Sequence, residues 1–190
     1  FYFILTLLLS NSIFSQCNGR YQSEIFNSVN KTTVYYPELI QWFDNEHNMD
    51  IYTPVGDTEI NRPLILFLHG GTFIGGDKEN NDCVDFCETF AKKGYVTASV
   101  NYRLANPVAF YTQEATQYET VLKAVADVKA AIRYFRHDYG LNDSYGIDPN
   151  TIFVGGSSAG AIAAIHLAYI DDISDLSSAS TSIDLITLAN

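Results

Sequence analysis

No apolar run in this chain is long enough to cross a bilayer, and no cluster of basic residues offsets its acidic charge. The opening stretch, Phe-Tyr-Phe-Ile-Leu-Thr-Leu-Leu-Leu over residues 1–9, falls well short of the ~20 residues a spanning helix needs, so no stable membrane span is expected. Lys and Arg number 11 against 22 Asp and Glu, a formal charge of -11, and a surface of that sign repels phosphate backbones. Nucleic acid is excluded as a partner. Four histidines and three cysteines show no metal-ligand spacing, and no cofactor is expected. Internal repeats and low-complexity linkers are also missing. What remains is globular in kind: 190 residues, 47% hydrophobic and 17% charged, with 13 Tyr and 12 Phe, enough chain for one domain with a sizeable core.

Residues 1–15 fit the apolar core and cleavage region of a secretory signal peptide whose charged start and initiating Met are not in the chain, with cleavage after Ser15. The expected localisation is secreted, extracellular or periplasmic. Export permits disulfides. Cys83 and Cys87 lie four apart on a predicted helix with parallel side chains, a poor geometry for bonding each other. A bridge from Cys17 to Cys87 or Cys83 would tie the N-terminal segment to that helix; buried free thiols are the alternative. Gln16 is too bulky at the preceding position for lipid attachment at Cys17.

Gly156-Ser157-Ser158-Ala159-Gly160 follows the apolar run Thr151-Ile152-Phe153-Val154 and leads into Ala161-Ile162-Ala163-Ala164. A strand that ends in Gly-x-Ser-x-Gly and enters a small-residue helix is a nucleophile elbow, which pushes the central hydroxyl out at the sheet's end. Ser158 is the candidate nucleophile for acyl transfer. The looser match Gly155-x-Ser157-x-Ala159 makes Ser157 the runner-up.

A second motif is Pro63-Leu64-Ile65-Leu66-Phe67-Leu68-His69-Gly70-Gly71-Thr72-Phe73. An unbroken apolar run reads as a central parallel strand buried on both faces, and His69-Gly70-Gly71 as a loop of close backbone approach. In acyl transfer the carbonyl oxygen gains negative charge, and fixed N–H donors aimed at it lower the barrier. The N–H groups of Gly71, Thr72 and Ala159 are the candidate oxyanion hole, with the positive end of the elbow helix behind them.

His69-Gly70-Gly71, Ser99-Val100-Asn101-Tyr102-Arg103-Leu104, Tyr145-Gly146-Ile147-Asp148-Pro149-Asn150 and Gly155 to Gly160 together resemble the α/β-hydrolase superfamily. Within it they are most similar to the esterase branch of carboxylesterases, hormone-sensitive-lipase relatives and feruloyl-esterase-like enzymes. The resemblance runs from about residue 48 to 170. It implies a mostly parallel sheet with helices on both faces and a Ser–His–Asp/Glu triad whose nucleophile is Ser158. Thr72 stands where many lipase relatives carry a third glycine.

The coarse reading agrees with that architecture: an edge strand near Thr33–Tyr36, strands at 48–53, 64–68, 95–102 and 151–154, and helices at 81–93, 113–139 and 159–170. Val121, Val125, Val128, Ile132 and Phe135 form a helical stripe, residues 103–113 a loop and 145–150 a turn. The acid and histidine of the implied triad are missing. His166 sits eight residues beyond Ser158, about 12 Å along a helix axis; His69 belongs to the oxyanion loop, and His47 and His137 read as surface or helix-end residues. The expectation is therefore that residues 16–190 form the N-terminal part of a single α/β-hydrolase domain, with the triad acid and His beyond residue 190. Such a piece would be nearly inactive alone and, with a bare strand edge, poorly soluble. The leading function is a secreted serine hydrolase acting on small-molecule or polysaccharide-linked carboxylic esters. A prolyl-oligopeptidase-type peptidase and a non-catalytic binding domain on the same fold are the alternatives.

Overall fold

The structure is a computed structural model and describes residues 19–36 and 47–170; residues 1–15, read above as a signal peptide, Cys17 and the acidic stretch after Ile170 lie outside them. In chain order the elements are β1 (Val29–Tyr35), β2 (Asn48–Pro54), β3 (Arg62–Leu68), α1 (Asn81–Lys92), β4 (Val96–Val100), α2 (Pro107–Thr112), α3 (Glu114–Leu141), β5 (Ile147–Gly156) and α4 (Ala159–Tyr169). The sheet runs β1-β2-β4-β3-β5. β1 and β2 enter antiparallel, while β4, β3 and β5 are parallel.

The apolar run of β3 explains why the sheet is covered on both sides. Alternate residues of a strand face opposite ways. Leu64, Leu66 and Leu68 join the main core with Val128, Ala131 and Phe135 of α3 and Ala159 and Ala163 of α4. On the other face Phe67 stacks on Phe86 of α1 with ring centroids 4.1 Å apart, beside Tyr52, Cys87 and Ala91. Of the α3 stripe, Val128 and Phe135 are fully buried and Val125 is buried, Val121 and Ile132 are partly buried against the core, and Ala124 and Ala131 complete the packing face. Among the described residues β5 pairs only with β3, and Phe153 is 54% exposed.

Register sets the position of everything that follows. Leu68 pairs with Val100 on one side and Gly156 on the other. The loops after β3 and β5 therefore leave the same end of the sheet side by side, where open parallel sheets place their ligands.

Three expectations need correction. The 103–113 loop contains a short helix, α2: Asn106 Oδ1 accepts from the N–H groups of Val108 (3.0 Å) and Ala109 (3.2 Å), with Pro107 at its first position, the usual chemistry of a helix start. The 145–150 turn is shorter than expected, because Ile147 already pairs with Arg62 before a register shift in β3. His47, expected at the surface, is buried, with Nε2 3.3 Å from Asp127 Oδ1. Its partner lies 80 residues on, so no local pattern announced it.

Asp127 is fully buried on α3. Arg103 donates to it from Nη2 (2.6 Å), Nε and the backbone N–H. Burial raises the pKa of this carboxyl, but His47 and Arg103 more than reverse that and hold it below the ordinary carboxylate range. A depressed folded-state pKa contributes stability that is present above the unfolded value of about 3.9 and is lost as pH falls through the folded one. Asp127→Ala leaves the Arg103 guanidinium without this carboxylate and is expected to lower the unfolding free energy by about 3–5 kcal/mol. Urea unfolding at pH 7 checks this. The difference between wild type and variant should shrink as the pH is taken below about 4.

Candidate active site

β5 ends at Gly156, α4 starts at Ala159, and the backbone reverses between them. Ser158 carries the reversal, with φ 48° and ψ -114°, a conformation an L-residue holds only at a cost of about 1–3 kcal/mol. Its side chain is exposed. The flanking glycines are needed for space. A Cβ at Gly156 would lie 2.6 Å from the Leu68 carbonyl oxygen, and one at Gly160 would lie 2.2 Å from it. That same oxygen accepts the Ser157 N–H at 3.1 Å. The small residues of α4, with Ala159, Gly160 and Ala163 buried, bring the helix this close to β3.

The loop after β3 is curled tightly. Gly71, Thr72 and Phe73 all have positive φ (125°, 58° and 61°), and the Gly71 carbonyl accepts from Ile74 and Gly75, both at 3.1 Å. A Cβ at Gly71 would sit 2.0 Å from Gly75 O, and one at Gly76 (φ 89°) 2.3 Å from Gly70 O. A Cβ at Gly70 would lie 3.3 Å from Ser158 Cβ, so this loop is packed against the elbow. Among the described residues the N–H groups of Gly71, Thr72 and Ala159 have no protein acceptor.

His69 holds the root of the loop. It is buried and stacks on Tyr102 at 4.3 Å between centroids and 9° between planes. Tyr102 Oη donates to His69 O at 2.7 Å. His69 Nδ1 lies 2.7 Å from Gly70 O; a carbonyl only accepts, so the proton belongs on Nδ1. Burial pushes the His69 pKa down, which keeps the ring neutral and gives it a structural place. The loop's far end is pinned at Lys78, whose Nζ is 2.9 Å from buried Asp50. Lys78 O accepts from Ser99 Oγ at 2.7 Å, and its N–H donates to Asn101 Oδ1 at 2.6 Å.

The structure thus brings Gly70 against Ser158, and among the described residues no histidine accompanies it as a general base. His47 pairs with Asp127, His69 with Gly70 O, and His166 Nδ1 with Ile162 O at 2.8 Å; His137 is exposed on α3. The runner-up Ser157 donates to Asp82 Oδ2 at 2.6 Å. Sequence reading missed Asp82, since nothing local links the first turn of α1 to the elbow. Cys83 and Cys87, read either as partners of Cys17 or as buried free thiols, are free and fully buried here, and Cys17 lies outside the described residues. Burial pushes the Cys83 thiol up to about 12 and Cys87 higher still, so neither is a nucleophile at neutral pH. Among the described residues no group of three or more His, Cys, Asp or Glu could hold a metal ion, and no helix is long and apolar enough to cross a membrane.

Gly160→Ala forces the methyl into the Leu68 carbonyl and is expected to lower the unfolding free energy by about 3 kcal/mol. Gly75→Ala, whose Cβ would meet nothing within 4 Å, should change it by less than about 0.5 kcal/mol. Paired thermal and urea melts test the contrast, and equal effects would contradict the steric account.

Comparison with known proteins agrees with this arrangement. The family model described as BD-FAE matches residues 49–183. Arylacetamide deacetylase of Bos taurus is 29% identical over 163 residues, covering 84% of this chain and 35% of that protein. Among solved structures, an esterase of the planctomycete Thermogutta terrifontis with propionate bound is 28% identical at a TM-score of 0.52, covering 70% of this chain and 43% of its own. Esterase B of Lactobacillus rhamnosis gives a TM-score of 0.59 at 23% identity over 78% of this chain and 42% of its own, a likeness of fold. The chain spans about a third of the bovine relative's length and about two-fifths of each solved esterase.

Proposed function

The chain belongs to the BD-FAE family, has an α/β-hydrolase fold, and on that premise we propose that it carries the nucleophile half of a secreted serine hydrolase that cleaves carboxylic esters. The observation that carries this reading is the strained, exposed Ser158 packed under the Gly70 loop. In the reaction Ser158 Oγ attacks the ester carbonyl carbon and gives up its proton to a general base. The carbonyl oxygen becomes an oxyanion and accepts from the N–H groups of Gly71, Thr72 and Ala159, which have no other acceptor among the described residues. The N-terminal end of α4 adds its partial positive charge. The alcohol leaves with a proton, and water then hydrolyses the acyl-enzyme, returning Ser158. Each fixed donor of this kind is worth about 10²–10³ in rate.

The base and the acid that orients it come, in this reading, from sequence beyond residue 190, because all four histidines of the chain are engaged or placed elsewhere. Ser157 is disfavoured as nucleophile: its hydroxyl is held by a carboxylate and its backbone by Leu68 and Gly160. The relatives named as esterase and deacetylase support a small-molecule ester as substrate, and the reading of residues 1–15 as a signal peptide is what supports export.

Incubating the full-length protein with a fluorophosphonate and mapping the modified peptide tests the assignment. The adduct is expected on Ser158 and is lost in Ser158→Ala, together with turnover of a p-nitrophenyl ester. An adduct on Ser157, or none, would reject it.

A further inference from the structure

Ser157 is bonded at every polar atom, and each bond goes to a different element. Its N–H donates to Leu68 O at the end of β3 (3.1 Å), its carbonyl accepts from Gly160 N–H in α4 (2.8 Å), and its hydroxyl donates to Asp82 Oδ2 in α1 (2.6 Å). The same side chain lies under the oxyanion loop: a Cβ at Gly70 would be 3.2 Å from Ser157 Oγ and 3.3 Å from Ser158 Cβ. Asp82 is held on a rigid support. It is in the first turn of α1, next to Cys83, and Cys83, Cys87 and Ala91 are fully buried against the sheet. Thr97 Oγ1 of β4 donates to Cys87 O at 2.8 Å, which ties the middle of the helix to the sheet.

Resting on the function proposed above, we infer that Asp82 is a positioning residue for the nucleophile, acting through Ser157. Asp82 is exposed, and its bond adds a side-chain restraint from α1 to the two backbone bonds that already hold the residue before Ser158. Ser158, at φ 48°, is strained and would relax if its neighbour could rotate. A hydrogen bond to an ionised acceptor is roughly twice as strong as a neutral one, which suits a restraint on a strained turn. The bond touches neither substrate nor reacting atoms. Its loss therefore acts on the placement of the hydroxyl relative to the Gly70 loop, and misplacement of about 1 Å can reduce rate by about 10²-fold.

The test uses full-length protein with Asp82→Ala, Ser157→Ala, the double variant, Asp82→Asn, and Ser158→Ala as reference. Readouts are kcat and KM for p-nitrophenyl acetate, the second-order rate of fluorophosphonate labelling, and the melting temperature. Each alanine variant is expected to lower kcat and labelling about tenfold, with KM within about twofold and melting little changed. The double variant should be no slower than either single one, because both remove the same bond. Asp82→Asn keeps an accepting oxygen in place and should recover at least half of the wild-type kcat. Wild-type rates in both alanine variants, multiplying losses in the double one, or an Asp82→Asn variant as slow as Asp82→Ala would each overturn the inference. Should one alanine variant fail to fold, the other and Asp82→Asn still decide it. A wild-type enzyme inert to the fluorophosphonate, or activity surviving in Ser158→Ala, would instead overturn the serine-hydrolase reading on which the inference rests.

Discussion

The carbonyl of Leu68 is the point about which the candidate site is built. It ends β3, accepts the Ser157 N–H at 3.1 Å, and leaves no room for a Cβ at either Gly156 or Gly160. A parallel register that pairs Leu68 with Gly156 places one carbonyl under both ends of the reversal. Substituting any larger residue at either glycine would push α4 away from β3, and with it the N–H of Ala159. The glycines of the elbow are thus required by close approach, and the left-handed conformation falls on Ser158 itself.

Three of the six described non-glycine residues at positive φ fall where the two loops meet. Thr72, Phe73 and Ser158 are non-glycine residues at positive φ, and a β-branched residue such as Thr72 is especially disfavoured there. Such conformations persist when their surroundings over-determine them. Here they do. Phe73 O accepts from Ala105 N–H at 2.8 Å and its ring is buried against Tyr102, while Lys78 and Asp50 close the loop from the other end. Among the described residues the N–H groups of Gly71 and Thr72 have no protein acceptor.

Legibility in the sequence followed the range of the interaction. β3 and β5 were readable because apolar runs and turn residues encode them locally, and Gly-x-Ser-x-Gly marked the reversal because the steric demand falls within five residues. α2 had its signal in Asn106-Pro107, a cap followed by a residue suited to the first helical position, though the proline reads equally well as a loop. What could not be read depends on partners far along the chain. The burial of His47 requires Asp127, and the restraint on Ser157 requires Asp82, 75 residues earlier. The positive φ at Thr72 is unreadable for a different reason: a β-branched side chain argues against that conformation, and only the pinned loop imposes it.

The segment after β4 shows how one short sequence can serve several distant parts. Asn101 accepts from the Lys78 N–H and donates to Asn48 Oδ1 at 3.2 Å. Tyr102 stacks on His69 and donates to its carbonyl. Arg103 binds Asp127 on α3 with its side chain and backbone. Three consecutive residues therefore tie the far end of the loop after β3, its root, and the long helix that covers the sheet. Because β4 lies beside β3, each reaches its target at the same sheet end as Ser158. Substrate never needs to meet these residues for them to matter: they set the distance between the loop that would hold the oxyanion and the strand from which the proposed nucleophile would emerge.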